Sequence, residues 1–345
     1  MIDGKTYHVL PNENPTKAAP AGADTLHGGP DGWDWRNWTV VAHTRDSITF
    51  SLTDPDGDQG FPGEVVSYVT YSLGHMTWDF KMVALATTKK TPIMLSSHVS
   101  FSLLVSTSAF PAPFIPTSRL LKRKKTVLTA KQTYWNLDGF ANTETATALN
   151  HSLWMPYAGQ RVGTDNILIP TGDILSNQQY SLNDFWSSPK QIGANFSNPD
   201  LLGNCGFNCT GYDTCYLTDR AADGPYDWRE KGPVARLRSA WSGIQVDVFT
   251  DQDAFQVYSC GGQNGSMALK STQGLHGVEG RERTIQQYGC VVMEVEDWID
   301  GINQPEWGRG KKQIFGPGDE PYVLQASYRF SLNGTAVGLN GPGSG

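Results

Sequence analysis

Short runs of alternating apolar and polar residues, each bounded by turn-forming residues, are the feature that most restricts what this chain can fold into. Alternation with a period of two places successive side chains on opposite faces of a β-strand, and many short strands separated by turns are typical of antiparallel sandwiches and barrels. Helical periodicity is weak throughout. We therefore expect an all-β fold. The runs cover 39–52, 64–73, 78–87, 244–249, 254–259 and 323–332.

Composition narrows the class of protein further. The chain of 345 residues contains 37 Gly and 20 Pro, which argues against long helices or a coiled coil. An aromatic content of 11% and a net charge of −7 argue against intrinsic disorder. The acidic balance gives no electrostatic footprint for nucleic acid, and no run of about 18 apolar residues indicates a membrane span. A soluble, turn-rich protein with neither nucleic acid nor membrane as a partner is expected.

Cysteine usage bears on the cellular compartment. Three of the five cysteines lie within eleven residues, which predicts a local disulfide in an oxidising compartment and leaves one thiol over. A zinc site is disfavoured because no His flanks this cluster and no C-x-x-C pair occurs. The cysteines are Cys205, Cys209, Cys215, Cys260 and Cys290.

Asparagine sequons point to the same compartment. No signal peptide is visible after Met1, yet six N-x-Ser/Thr acceptors occur, each of which is a glycosylation site only in the secretory route. We therefore expect the full-length protein to be extracellular or secretory. The acceptors are Asn37, Asn150, Asn195, Asn208, Asn264 and Asn333.

One segment differs sharply from the rest of the chain. Val99 to Gln132 contains six basic residues and no Gly, Asp, Glu or Asn over 34 residues. Three interpretations compete: a surface loop of unusual length, a basic localisation tract at Lys122 to Lys125, and a retained intron translated in frame. Val99-Ser100 can be encoded by GTGAGT, a common intron start, and we adopt the intron as the working hypothesis.

An acidic stretch, Asp54 to Gly60, resembles a calcium loop at first sight. An EF-hand loop needs Gly at its sixth position and Glu at its twelfth, where this chain has Gln59 and Val65. The stretch is therefore interpreted as a polar turn, and no metal is expected.

Four stretches are more distinctive, although each taken alone is more often structural than catalytic. In the last of them Glu294 ends an apolar run in a strand-like pattern, and a half-buried carboxylate with a raised pKa would suit general-base catalysis. The stretches are Leu26 to Trp33 (LHGGPDGW), Tyr134 to Gly139 (YWNLDG), Gly211 to Asp213 (GYD), and Met293 to Trp298 with Asn303 to Pro305 (NQP).

Together and in this order, these stretches resemble the aldose 1-epimerases, or galactose mutarotases. The resemblance runs from Ile2 to about Phe330, with supporting matches at 56–63, 69–71, 169–172 and 316–318. It implies a large antiparallel β sandwich that interconverts the α and β anomers of a free monosaccharide such as glucose or galactose. It also implies that no cofactor or metal takes part.

The resemblance implies a role for four residues. Glu294 matches the base that takes the C1 hydroxyl proton, and His27 matches a sugar-binding or catalytic histidine. Asp213 and Gln256 match residues that contact the sugar. Aromatic residues near these turns, such as Trp35, would either stack on the sugar or pack in the core.

The first departure from the family pattern concerns its other histidine, in an N-H-x-Y-F-N-L motif. Gln132 occupies that position here. Removing Val99 to Gln132 would join His98 to Thr133 and restore the motif, with His98 as the general acid. The intron hypothesis and the assignment of His98 therefore depend on each other.

The second departure is at the start of the chain. The family carries a sugar-contacting Arg upstream of the strand that matches 2–7, so we expect N-terminal strands to be missing and a single domain over 1–335, followed by a flexible Gly-rich tail at 336–345. A catalytically impaired carbohydrate-binding relative is the main alternative. A hexose 6-phosphate epimerase would need a basic patch, and the only basic cluster is Lys122 to Lys125. A purely structural role is the third alternative.

Overall fold

Antiparallel strands build nearly all of the regular structure in the computed structural model, which describes residues 1–96, 133–220, 227–274, 279–280 and 283–332. The strands are β1 (Thr39–His43), β2 (Ser47–Asp54), β3 (Val65–Gly74), β4 (Thr77–Ala86), β5 (Thr91–Pro92), β6 (Tyr134–Trp135), β7 (Ser152–Trp154), β8 (Gln160–Thr164), β9 (Pro170–Ser176), β10 (Lys190–Gln191), β11 (Asp213–Leu217), β12 (Ala235–Arg238), β13 (Ile244–Thr250), β14 (Ala254–Tyr258), β15 (Val291–Glu296), β16 (Ile314–Phe315) and β17 (Tyr322–Leu332).

Helical structure in the described ranges is short. One α-helix, α1 (Gly310–Gln313), occurs near the end of the chain. Single-turn 3-10 helices lie at Trp33–Trp35, Asp58–Gly60, Ile192–Asn195, Pro199–Leu201, Gly301–Asn303 and Pro305–Trp307. No helix within the described ranges is long and apolar enough to cross a membrane.

Two large sheets form the sandwich that the sequence predicts. The nine-stranded sheet has the order β1-β2-β3-β4-β17-β13-β12-β7-β10, and the six-stranded sheet has the order β6-β15-β14-β11-β8-β9. A further pair, β16 and β5, forms a two-stranded sheet. One apolar cluster joins Phe80 and Val246 of the first sheet to Trp135, Val257 and Met293 of the second. The core therefore lies between the two sheets.

The predicted runs correspond closely to observed strands, with one exception. The run 39–52 divides into β1 and β2, because Thr44 donates its backbone N–H to the carbonyl of Ser47 and reverses the chain. The other five runs match β3, β4, β13, β14 and β17 to within a residue or two at each end.

The acidic stretch after β2 is a polar turn, as predicted. Asp56 Oδ1 accepts the backbone N–H of Gly63 at 2.7 Å, and Asp56 also pairs with Lys89. Gly57 sits at a φ of 89°, a left-handed conformation that glycine adopts without strain. The carboxylate of Asp56 therefore closes the turn. Among the described residues, no group of three His, Cys, Asp or Glu side chains is placed to hold a metal ion.

Several sequence expectations fall on other residues. The basic segment Val99 to Gln132, with its alternative interpretations, lies outside the described residues, as do Asn333 and the tail 336–345. They remain predictions from the sequence.

Candidate active site

The strand β15 carries two carboxyl groups on the face of its sheet that points away from the core. Val291, Met293 and Val295 join the apolar core between the sheets. Because side chains alternate along a strand, Glu294 and Glu296 point to the opposite face. Both are nonetheless buried, with only 5% of Glu294 exposed. The sequence predicted a half-buried Glu294, so the observed burial is deeper than expected.

Two neighbouring strands bring Gln256 and Asp213 to the same face. Gln256 of β14 lies directly opposite Glu294 and, on its other side, opposite Cys215 of β11, two residues from Asp213. The Nε2 atom of Gln256 donates a hydrogen bond to Asp213 Oδ1 at 2.6 Å. Strand register therefore places three of the predicted residues together. We call Asp213, Gln256 and Glu294 the carboxylate row.

Burial raises the pKa of both acids in the carboxylate row. It raises the pKa of Asp213 to about 6, although the hydrogen bond from Gln256 opposes the shift. Burial, reinforced by the nearby charge of Asp213, raises the pKa of Glu294 to about 8. Such a carboxylate is a stronger base than an ordinary glutamate and can exchange a proton near neutral pH.

A third carboxyl group, Glu296, lies beside the row. Burial and then the charge of Glu294 raise the pKa of Glu296 well above its ordinary value. The charge of Glu294 therefore opposes ionisation of Glu296, because closely spaced buried carboxylates disfavour each other's charged forms.

The amide of Gln256 has one unused polar atom. Its Oε1 is buried and accepts no hydrogen bond from the described residues. Buried polar atoms without partners are uncommon, and at a functional site such an atom is open to a ligand. With Nε2 bonded to Asp213, Gln256 Oε1 can accept a hydrogen bond from a ligand hydroxyl beside Glu294.

A cavity of about 140 Å³ adjoins the row on the side of Asp213. Asp213 and Gln256 belong to its wall, so a ligand in this space would meet both side chains. The rest of the wall combines polar and apolar residues, namely Arg161, Val162, Thr164, Asp165, Leu168, Leu175, Gly203, Asn204, Thr214, Cys215 and Ile299.

The strand pair β14–β15 is fastened at one end by a disulfide. Cys260 follows β14, Cys290 precedes β15, and the two cysteines are bonded. The predicted local disulfide is also present, between Cys205 and Cys209, and the thiol left over is the buried Cys215.

An arginine fastens the other end of the same strand pair. Arg309 binds Asp297, directly after β15, and donates to Asp253, directly before β14, at 2.8 Å. Gln313 Nε2 adds a hydrogen bond to Asp297 Oδ2 at 3.0 Å. Both ends of the strands that carry Gln256 and Glu294 are therefore held in register.

Known proteins with similar sequences identify the family of this chain. The sequence profile of the family "Aldose 1-epimerase" matches residues 1–111 and 117–320. A "Probable aldose 1-epimerase" of Arthroderma benhamiae is 36% identical over 358 residues, covering 96% of this chain and 70% of that protein. The chain belongs to the aldose 1-epimerase family. The predicted resemblance is thereby confirmed.

More distant relatives agree with this assignment. Human "Galactose mutarotase" is 24% identical over 333 residues, covering 96% of this chain and 74% of that protein. The crystal structure of a GalM/aldose epimerase homologue from C. elegans superposes with a TM-score of 0.66 at 22% identity, covering 97% of this chain and 78% of that one. That likeness confirms the predicted fold. The epimerases and mutarotases among its relatives are isomerases, and the family places this chain among them.

Of the two histidines that the resemblance implied for this epimerase, the structure describes only His27. His27 lies in an exposed turn with a φ of 53°. Gly29, two residues further on, lies against the side chain of Gln59, whose Oε1 accepts the backbone N–H of Asp31 at 3.2 Å. His98 lies outside the described residues.

The structure also brings forward a histidine that the sequence did not single out. His151 is 1% exposed, and its Nε2 accepts the backbone N–H of Leu137 at 2.9 Å. Burial lowers the pKa of His151 to about 4, so the ring is neutral and carries its proton on Nδ1. No hydrogen bond to Nδ1 occurs among the described residues. A lone His between Asn150 and Ser152 gave no sequence signal.

Aromatic residues flank the row, although not the one suggested by the sequence. Tyr134 and Tyr258 lie close enough to Glu294 and Asp213, respectively, for those charges to help raise their pKa values, after the larger effect of burial. Trp35 is 63% exposed in its 3-10 helix. The two tyrosines are therefore better placed than Trp35 to contact a ligand at the row.

Proposed function

We propose that this protein interconverts the α and β anomers of free hexoses, such as glucose and galactose, by acid–base opening and closing of the sugar ring. The observation that carries the proposal is the carboxylate row. In it, the buried Glu294, whose pKa is raised, lies opposite Gln256, whose side-chain amide is hydrogen-bonded to Asp213. This arrangement offers a base and two hydrogen-bonding groups on one rigid face.

The reaction transfers protons without net consumption. Glu294 accepts the proton of the C1 hydroxyl, the bond between C1 and the ring oxygen breaks, and the ring oxygen gains a proton from a histidine. The open-chain aldehyde then rotates about the C1–C2 bond. Closure on the other face of the aldehyde returns both protons and gives the opposite anomer. A base and an acid on opposite sides of the sugar are needed.

Asp213 and Gln256 are proposed to hold the sugar. A carboxylate accepts hydrogen bonds from sugar hydroxyls, and the free Oε1 of Gln256 accepts one more. Hydrogen bonds to charged groups contribute about 1.5–3 kcal/mol each, enough to orient a monosaccharide.

His98 is proposed as the proton donor, on the family motif that forms when His98 precedes Thr133. His151 is the second candidate, because its Nδ1–H has no acceptor among the described residues. Its lowered pKa fits a hydrogen bond to the ring oxygen better than complete proton transfer.

The test follows the optical rotation of freshly dissolved α-glucose and α-galactose with and without the protein. We expect faster decay to equilibrium, and a loss of about 10²- to 10⁴-fold in kcat for Glu294→Gln, the usual contribution of a general base. Glu320→Gln, at an exposed position, is the matched control. Near-normal turnover by Glu294→Gln would contradict the assignment of the base.

A sugar-binding relative without turnover is the alternative. It is favoured by the chain as it stands, in which Gln132 rather than His98 precedes Thr133. Calorimetric titration with galactose distinguishes the two, since binding without accelerated mutarotation would support the alternative.

A further inference from the structure

The sequons are a pattern that the proposed function does not use. Five of the six lie in the described residues, and four of those five have an exposed asparagine. No hydrogen bond described for these four uses the side-chain nitrogen to which a glycan attaches. They are Asn37, Asn150, Asn208 and Asn264.

The fifth sequon is different. Asn195 is half-buried, and its Nδ2 donates to the carbonyl of Leu182 at 3.3 Å and to the hydroxyl of Tyr212 at 3.4 Å. Tyr212 is fully buried. A glycan on Asn195 Nδ2 would replace one of its two hydrogens and displace at least one of these contacts, so Asn195 is the least favourable of the five described sites for a glycan.

The disulfides are a second, independent observation. Cys205–Cys209 and Cys260–Cys290 both require an oxidising compartment to form and persist. Asn208 lies inside the loop closed by the first disulfide, at a φ of 55°, which asparagine tolerates better than most residues. One short loop therefore carries both features of secretory maturation.

We propose that this protein matures in the secretory route and carries N-linked glycans on Asn37, Asn150, Asn208 and Asn264, while Asn195 remains unglycosylated. This inference is independent of the catalytic proposal. Both the sequons and the disulfides are explained by maturation in one compartment, the secretory route.

The glycan on Asn37 would have a specific physical effect. Asn37 lies two residues before β1, the edge strand of the nine-stranded sheet, and all five residues of β1 are exposed. An exposed edge with Val40 and Val41 uncovered is open to pairing with another chain. A bulky, hydrated group beside this edge would oppose such pairing.

The test expresses the full chain in yeast, with and without a cleavable secretion leader. Glycans are removed enzymatically in H₂¹⁸O, and peptides from both medium and cell extract are analysed by mass spectrometry. We expect ¹⁸O-labelled Asp at the four exposed sites and unlabelled Asn195 in the folded fraction. Each exposed Asn→Gln variant should lose the mass of one glycan, and Asn195→Gln should lose none.

Two results would overturn the proposal. One is a folded glycoprotein that is unmodified at Asn37 and Asn208 or modified at Asn195. The other is a leaderless chain that keeps all five thiols reduced and matches the secreted form in solubility and melting temperature. Mutarotation is measured on both forms, so that failure of the catalytic proposal is scored separately.

Discussion

The carboxylate side and the histidine side of the candidate site are built in different ways. Asp213, Gln256 and Glu294 lie on adjacent paired strands whose ends are held by a disulfide and by Arg309. Of the histidines in the described ranges, His27 lies in an exposed turn, and His151 is buried with its Nε2 accepting the backbone N–H of Leu137. Strand register fixes the carboxylate row, whereas placement of His98, the proposed proton donor, depends on the chain next to Thr133.

The register of β6 makes this dependence specific. Tyr134 pairs with Val292 and Trp135 with Val291. The residue before Thr133 is Gln132 in this sequence, and it would be His98 if 99–132 were removed.

The largest expected effect comes from removing 99–132, which would place His98 directly before Thr133. Excision of 99–132 should raise kcat for mutarotation by about 10²-fold or more, because a positioned general acid contributes about that factor. The rate is measured by polarimetry on folded samples of both chains. In the excised chain, His98→Gln should remove the gain. A folded excised chain that is no faster would contradict both the intron hypothesis and the role of His98.

A smaller effect is expected from weakening the carboxylate side. Asp213→Asn should lower kcat/KM at pH 8 by about tenfold, through lost charge-assisted hydrogen bonds to the sugar. The charge of Asp213 also raises the pKa of Glu294. The acid limb of the pH profile should therefore move to lower pH, whereas exposed Asp200→Asn should leave it unchanged. An unmoved limb would argue against electrostatic contact between the two acids.

Arg309→Lys probes the support of the row. Lysine lacks the planar fork that binds Asp297 and Asp253 together, so the free energy of unfolding should fall by about 1–3 kcal/mol. Urea denaturation measures the change, and Arg229→Lys at an exposed position is the control. Equal free energies of unfolding for the two variants would show that the ion pairs of Arg309 contribute little to stability.

The smallest expected effect is on the free energy of unfolding, which burial of Glu294 makes dependent on pH. Because burial raises the pKa of Glu294 from its ordinary 4.5 to about 8, the folded state binds this proton more tightly than the unfolded state. The wild type therefore loses stability as pH rises through this window. Glu294→Gln should be the more stable protein at pH 8.5 by on the order of 1 kcal/mol, with a smaller difference at pH 5. A difference that shrinks with rising pH would contradict a buried, raised-pKa carboxyl group.

Local patterns predicted most of the fold and part of the site. Period-two alternation located the long strands, but β5, β6, β10 and β16 have two residues each, too few for any period to appear. Their pairing is decided by neighbours distant in sequence. The turn that divides 39–52 contains a backbone hydrogen bond between polar residues. The alternation of apolar and polar residues gives no sign of it.

The site residues show the same limit. The resemblance identified Asp213, Gln256 and Glu294, and the register of three strands then brought them together. Burial of Glu294 comes from long-range packing, so the sequence underestimated it. His151 was missed because a buried histidine that accepts a backbone N–H leaves no spacing pattern along the chain.

The bond between Cys260 and Cys290 has a consequence for how this protein can vary. It joins residues 30 positions apart and makes 260–290, the stretch between β14 and β15, a covalently closed ring. A protease cut at 261–289 would leave both halves attached through sulfur, with Gln256 still facing Glu294. Insertions and substitutions in that stretch are similarly separated from the register of β14 and β15, so evolution can reshape this side of the molecule without realigning Gln256 and Glu294.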